Sequence, residues 1–350
     1  MNDYLLSGKI LYNAFMFSKR VGIDLGTANT LVYLEGKGII LNEATVVAYS
    51  VYEKKIVAVG SQAKEMLGRT PGTIIATHPM KDGVIAEYTV TRAMIRYFLN
   101  KALGNFFFKP DIIISIPGGA TQVERRAIAN ACYSAGARHV YLIDEPIAAA
   151  IGAKISIAEA SGNLIINIGG GTTEVAVISL GELVAYQSER VAGSKIEQAI
   201  VGHLRKKHNL IIGERSVEEL KIKHATAYLK EAKADKMILV KGRDLRYGLP
   251  KHIEISEREL SESIQKPLKG ISYTAKHVLE HIPPEISADI AEKGAIISGG
   301  SAMLHNLDKY LSDELNFPVF VAEDPLLCVI RGLGLIAENF ELYRQAAGKI

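Results

Sequence analysis

Two stretches of this chain repeat one design at long distance. Residues 21–25 (VGIDL) form an apolar run that breaks at 26–29 and resumes to Leu34. Residues 164–168 (LIINI) break at 169–171 (GGG) and resume at 174–179 (EVAVIS). An apolar run, a glycine-rich turn and a second apolar run is the pattern of a β-hairpin. Aligning the two places Asp24 on Asn167, Gly26 on Gly169 and Thr30 on Thr173, each pair 143 residues apart. Solenoid repeats recur every ~20–50 residues, so this spacing predicts two similarly folded halves facing each other. At roughly 100–200 residues per domain, a chain of 350 residues has room for both.

The segments around the hairpins specify the fold class. A turn at 35–38 and a run at 39–41 extend the first hairpin into a meander. Residues 111–116 (DIIISI) read as a buried strand, ended by Pro117, Gly118 and Gly119. Thr121 and Glu124 then have capping-box spacing, with Val123, Ala127, Ile128 and Ala131 as the apolar stripe and Gly136 as the stop. Residues 140–143 are a further strand, and Pro146 opens a small-residue helix with Glu145 just ahead of it. In the second half, 295–298 is a strand, Gly299 and Gly300 a turn, and 301–315 a helix. Strands alternating with helices predict an α/β protein with mainly parallel sheets covered on both faces. The Lys- and Glu-rich stretch 195–267 is expected to be a mostly helical insertion into the second half, and 44–82 a smaller insertion into the first.

Composition narrows the partners. Lys plus Arg is 41 against 38 Asp plus Glu, a net charge of +3, which excludes the basic footprint of a nucleic-acid binder. The two cysteines, Cys132 and Cys328, exclude a disulfide framework and zinc-finger spacing, and sit in apolar runs as core residues do. No uncharged apolar run reaches the ~18 residues of a spanning helix. The N-terminal run lacks a basic leader and is broken by Ser7, Gly8 and Lys9, so no secretory signal is expected and the default is a cytoplasmic protein.

Two glycine-rich hairpins that face each other predict a phosphate clamp, because glycines let backbone N–H groups approach an anion closely. The hydroxyls of Thr27, Thr30, Thr172 and Thr173 are candidate further donors. Asp24, at the end of the first strand, is placed to hold Mg²⁺ through water. Neither G-x-x-x-x-G-K-[ST] nor a helix-opening G-x-G-x-x-G occurs, which excludes the Walker loop and the dinucleotide fingerprint.

Read as longer motifs, these segments resemble the MreB-type bacterial actins. IDLGTANTLVYLEGKGIILNE (23–43) is similar to the family's first phosphate motif and IGGGTTEVAVISLG (168–181) to its second. PMKDGVIAEYTVTRAM (79–94), FKPDIIISIPGG (108–119) and DEPIAAAIGA (144–153) resemble its connecting segments. SVEELKIKHATA (216–227), AIISGGSAMLHNLDKYL (295–311) and EDPLLCVIRGLG (323–334) resemble its adenosine-side and closing elements.

The resemblance implies a duplicated actin-like α/β fold around a nucleotide cleft. Its two related halves would hold mixed sheets flanked by helices, each with an inserted subdomain. The expected parts are 19–43, 83–158 and 328–350 as the first core, with 44–82 inserted. Residues 159–194 and 268–327 would form the second core, with 195–267 inserted, and 1–18 a tail or amphipathic helix. The implied ligands are ATP or ADP with Mg²⁺. Thr27, Ala28 and Asn29 would touch the phosphates from one side and Gly169, Gly170, Gly171 and Thr172 from the other. Gly193, Glu218 and Lys221 would lie on the nucleoside side, with Gly299, Gly300, Ser301 and Ala302 completing the adenosine pocket. Glu145 would orient the attacking water, with Asn167 and Thr172 beside it. The family's hydrophobic membrane loop carries over to Phe107 and Phe108. The implied partners are further copies of the chain, the inner face of the cytoplasmic membrane and morphogenesis or cell-wall proteins.

Some positions depart from the pattern. Asn167 stands where the family usually carries Asp, Ser194 where it carries an acidic residue, and Ser301 where a third glycine is frequent. Loss of the Asp charge is expected to impair hydrolysis more than binding, so a filament that barely hydrolyses ATP is the first alternative. A small-molecule kinase of the same superfamily is the second, and would need an acceptor pocket and an aspartate base. Residues 2–20 place Tyr4, Gly8, Leu11 and Phe15 on one helical face beside Lys9, Lys19 and Arg20, as an interfacial helix would. The basic run 203–208 (HLRKKH) reads as a solvated helix face.

Overall fold

The structure is a computed structural model that describes residues 19–53, 55–104, 108–343 and 348–349. The N-terminal segment and Phe107 lie outside the described residues.

Two sheets carry the molecule. The first runs, edge to edge, Gly38–Ala44, Asn29–Leu34, Arg20–Leu25, Asp111–Ile116, His139–Asp144 and Gly348–Lys349. The second runs Glu182–Glu189, Thr173–Ser179, Asn163–Ile168, Ala295–Ser298 and Val319–Val321. Omitting the last strand of the first sheet, the orders are the same. The repeat holds to the residue. Asp24 pairs with Leu31 and Leu25 with Thr30, while Asn167 pairs with Glu174 and Ile168 with Thr173. Even the turns match, since Gly26 N donates to Asn29 O at 3.1 Å and Gly169 N to Thr172 O at 2.9 Å.

The sheets are mixed rather than mainly parallel. Each meander is antiparallel, because a tight turn can only reverse the chain. The strands reached through helices are parallel. Between the sheets lie the helices Glu145–Gly152 and Cys328–Glu338, packed backbone to backbone. A Cβ at Gly152 would overlap the carbonyl of Cys328, and one at Gly332 that of Ala148. Leu31, Ile113, Ile165 and Ala176 from the two sheets close on this pair, forming the apolar layer that joins the halves.

Other expectations need revision. The helix Gln122–Ala135 has the capping box at Thr121 and Glu124 and ends at Gly136 in the left-handed region, as read. Its buried stripe is Ile128, Ala131, Cys132 and Ala135, while Val123 is 77% exposed. The stretch 301–315 is a 3₁₀ turn Gly300–Met303 and a separate helix Leu307–Leu315. The break falls at Asn306, with φ at 57°, and at His305, which forms a bridge to Thr226. The inserted stretch 195–267 holds the helices Gly193–His208, Glu214–His224 and Glu257–Ser263, and adds an antiparallel sheet of Leu210–Ile211, Met237–Asp244 and Pro250–Ser256 that the sequence did not suggest. In the smaller insertion, Val47–Ser50, Ile56–Val59 and Ile74–Thr77 form a sheet beside the helix Ser61–Met66. Both cysteines are fully buried, and burial pushes Cys132 up to about 12 and Cys328 to about 11. Among the described residues no helix is long and apolar enough to cross a membrane.

Candidate functional site

The sheet order brings the two hairpin turns together, tip to tip. A Cβ on Gly170 would sit 2.9 Å from Ala28 Cβ and 3.3 Å from Ala28 N. One on Gly171 would strike Thr27 Oγ1 and lie 3.0 Å from Gly83 N. Only glycine lets the second turn approach the first this closely. Thr27 Oγ1 accepts from Gly83 N at 3.0 Å, tying the first turn to the segment below the inserted subdomain.

The third loop closes from the side. Gly299 has φ at 85°, and a Cβ there would run into the carbonyl of Ile168. Ser301 Oγ donates to Gly169 O at 2.7 Å. Gly193 lies underneath, where a Cβ would be 2.6 Å from Ser301 Oγ and 3.3 Å from Lys221 Nζ. Ser194 donates to Gly170 O twice, through its backbone N–H and its hydroxyl, each at 2.8 Å. Thus the residue standing in the expected acidic position braces the second turn instead.

Behind the turns a cavity of about 30 Å³ is lined by Gly26, Ser115, Glu145 and Thr172. At least ~10–15 Å³ is needed to hold a water, so there is room here for one. Asp24 accepts from Ser115 Oγ at 3.1 Å, and burial raises its pKa to about 6. Glu174 accepts from Gly118 N at 3.2 Å and Ser188 Oγ at 3.0 Å, and burial raises it to about 7. Glu145 is raised well above the ordinary carboxylate range, first by burial and then by the charges of Glu174 and Asp24. Such a group of carboxylates suits a hard divalent cation bound with water and phosphate oxygens.

Asn167 connects the parts. It is 1% exposed, accepts from Ser298 Oγ at 2.9 Å and donates its amide to Glu145 Oε1 at 2.7 Å. Once Glu145 is ionised, an aspartate would set two carboxylates face to face at that distance. At a pH above the raised Glu145 pKa, Asn167→Asp is therefore expected to destabilise the ligand-free protein by about 1–3 kcal/mol, as loss of a buried hydrogen bond does. A lowered urea midpoint at constant m would report it, and an unchanged midpoint would refute the contact.

Not every expected residue faces the cleft. Thr30 and Thr173 are fully buried, Thr30 on Thr45 Oγ1 at 2.8 Å and Thr173 on Val191 O at 2.6 Å, so neither hydroxyl is a phosphate donor. Ala302 is 1% exposed and packs in the second-half core. Lys221 and Glu218 do lie at the cleft, Lys221 Nζ beside Gly193 and on Glu197 Oε1 at 2.5 Å, and Glu218 held by Lys64. Phe108 is 54% exposed. The run 203–208 is only partly a solvated face. His203 and His208 place Nε2 at 2.9 and 2.6 Å from Glu259 Oε1, while Lys207 takes Oε2 at 3.0 Å. Two imidazoles and one ammonium thus share a single carboxylate.

Glu174, Ser115, Lys64 and His78 escaped the sequence reading. Glu174 did leave a signal, as a lone charge in an otherwise apolar strand. The other three acquire a role only through contacts between distant segments.

The comparisons agree with this architecture. The family model described as MreB/Mbl protein matches residues 18–345. The cell shape-determining protein Mbl of Bacillus subtilis is 46% identical over 327 residues, which cover 93% of this chain and 98% of that protein. The cell shape-determining protein MreB of Escherichia coli is 46% identical over 334 residues, 94% of this chain and 96% of that protein. MreB 5 of Spiroplasma citri, solved bound to AMPPNP, superposes with a TM-score of 0.88 at 32% identity, covering 94% of this chain and 98% of that one. Its ADP-bound structure gives 0.87 at 33%, covering 93% and 99%. With the hairpin repeat, the paired sheets and these matches in agreement, the chain belongs to the MreB/Mbl family of actin-like cell-shape proteins.

Proposed function

We propose that this chain is an ATP-binding bacterial actin that polymerises into filaments at the inner face of the cytoplasmic membrane and organises cell shape. The observation that carries the nucleotide part is the tip-to-tip meeting of the 26–29 and 169–172 turns, with the Gly299 loop beside them. The AMPPNP and ADP bound to the Spiroplasma relative support the same reading. Backbone N–H groups of the two turns would hold the phosphates. Gly193, Lys221 and Ser301 would hold the nucleoside side, since they meet at one point beside Gly169.

Phosphoryl transfer asks the protein mainly for positioning and charge stabilisation. Asn167 fixes Glu145 by one oxygen, so the carboxylate has a set orientation when it holds the attacking water. Attack of that water on the γ-phosphorus breaks the bond to the β,γ-bridging oxygen and yields ADP and phosphate. Asp24, and Glu174 further back, are the carboxylates suited to Mg²⁺ through water. When bound, Mg²⁺ supplies neutralising charge at the phosphate oxygens. Electron microscopy of the purified chain with ATP and Mg²⁺, alongside phosphate release, tests both halves of the proposal. Filaments and slow release are expected, and the absence of filaments would refute the cytoskeletal reading. Filaments without phosphate release would favour a nucleotide-bound scaffold, the reading that Asn167 motivates.

Membrane attachment is assigned to Phe107 and Phe108. Burying one phenylalanine contributes roughly 1.5–3 kcal/mol, too little to hold a monomer but enough for a filament presenting many copies on one face. Phe107→Ser with Phe108→Ser is expected to release filaments from liposomes while nucleotide binding stays at the parental level. Co-sedimentation of the double variant with lipid at the parental level would refute the assignment.

A further inference from the structure

The two inserted subdomains meet across the mouth of the cleft. Lys64, on the helix Ser61–Met66, places its ammonium 2.6 and 2.9 Å from the two carboxylate oxygens of Glu218. His78, one residue past the strand Ile74–Thr77, holds Nε2 2.6 Å from Glu214 Oε1 in an ion contact. Glu214 opens the helix Glu214–His224, and Glu218 follows one turn later on the same face. Two pairs thus join one helix of the large insertion to the small insertion.

The second pair also reaches the phosphate side. The His78 ring lies beside the Thr45 backbone, which helps to raise its pKa. Thr45 donates its hydroxyl to Gly26 O at 2.8 Å and its N–H to Ala28 O at 2.9 Å. Contacts therefore run from Glu214, on the far wall, past His78 and Thr45 to the first phosphate turn.

We propose that Lys64 and His78 are positioning residues that clasp the cleft over its nucleotide and set how fast it leaves, Lys64 by orienting Glu218 on the nucleoside side. The proposal rests on reading the cleft as an adenine-nucleotide site. Opening the cleft separates the helix Glu214–His224 from the small insertion, and both ion pairs must break before a ligand passes. All four side chains keep partial solvent contact, between 26% and 54% exposed, so breaking the pairs is reversible under ordinary conditions.

The charges around His78 give the clasp a pH dependence. Contact with Glu214 raises its pKa above 6.5, opposed by burial and by the charge of Lys64, whose own partner is Glu218. A raised histidine pKa means the charged pair is intact below pH 6.5 and lost as pH climbs through the raised value. Nucleotide release should accelerate over that window.

The test follows release of a fluorescent ATP analogue from the full chain, chased with excess ATP. Lys64→Ala is expected to release it about tenfold faster, equivalent to ~1.4 kcal/mol, and Lys64→Arg at close to the parental rate. His78→Gln is expected to flatten the pH profile. A second measurement needs no nucleotide. Tyr52→Cys and Tyr247→Cys put exposed thiols on the two insertions, while the native cysteines are buried, so a dye pair reports their separation. The dye distance is expected to lengthen in Lys64→Ala with His78→Gln. A parent chain that fails to retain the analogue would overturn the nucleotide reading, and the dye distance would still decide whether the clasp exists. An unchanged dye distance in the double variant overturns the clasp, even if release is faster, because Lys64 would then be acting on the nucleotide directly.

Discussion

Gly170→Val is expected to abolish nucleotide binding while leaving the chain folded. A Cβ at this position already lies 2.9 Å from Ala28 Cβ, and valine adds two methyl groups beyond it. Those atoms fill the space between the turns and push them apart, so the N–H groups of the two hairpins no longer converge on one anion. Overpacking of this kind costs about 1–3 kcal/mol, tolerable for a fold whose two cores lie away from the turns. Loss of a clamped phosphate should reach at least ~100-fold in affinity, or about 2.7 kcal/mol. Titration with a fluorescent ATP analogue measures it, with circular dichroism to verify the fold. A parental dissociation constant would mean that the phosphates bind elsewhere.

Glu145→Gln is expected to remove hydrolysis while sparing binding. Glutamine keeps a side-chain oxygen to accept from Asn167, so the buried amide is not orphaned as it would be by alanine. What disappears is the carboxylate that takes or orients the proton of the attacking water. Groups in that role contribute typically ~10²–10⁴-fold. Phosphate release should therefore fall by at least ~100-fold with affinity changed by less than about threefold. The parental rate should also rise with pH, because burial and the charges of Glu174 and Asp24 raise the Glu145 pKa and favour the protonated form. A variant that releases phosphate at close to the parental rate would take the water-orienting role away from Glu145.

The hairpin pair shows how much of this molecule is local. Alternation of apolar runs and glycine turns is a short-range pattern, and it located both turns and their 143-residue offset. The structure reproduces that offset in strand register, down to Asp24 opposite Leu31 and Asn167 opposite Glu174. The capping box at Thr121 and Glu124 was equally legible, because all its atoms come from four consecutive residues. By contrast, the hairpin Met237–Asp244 with Pro250–Ser256 was obscured by its charges. Its exposed face carries them while Ile238, Val240 and Ile255 are buried, so average composition pointed to helix and alternation to strand.

Side-chain direction and partner choice were beyond that reach. Thr30 and Thr173 stand beside the turns in sequence, yet strand geometry turns their hydroxyls into the interior. Asn167 read as a lost charge until Ser298 and Glu145, 131 and 22 residues away, were found at its two amide atoms. Lys64 and Glu218 are 154 residues apart, and nothing near either one announces the other. Periodicity and turn chemistry are short-range properties that a chain carries along its length. The partners of a buried polar group depend on which distant strands and helices packing brings within about 3 Å, and that is settled only when both halves close on each other.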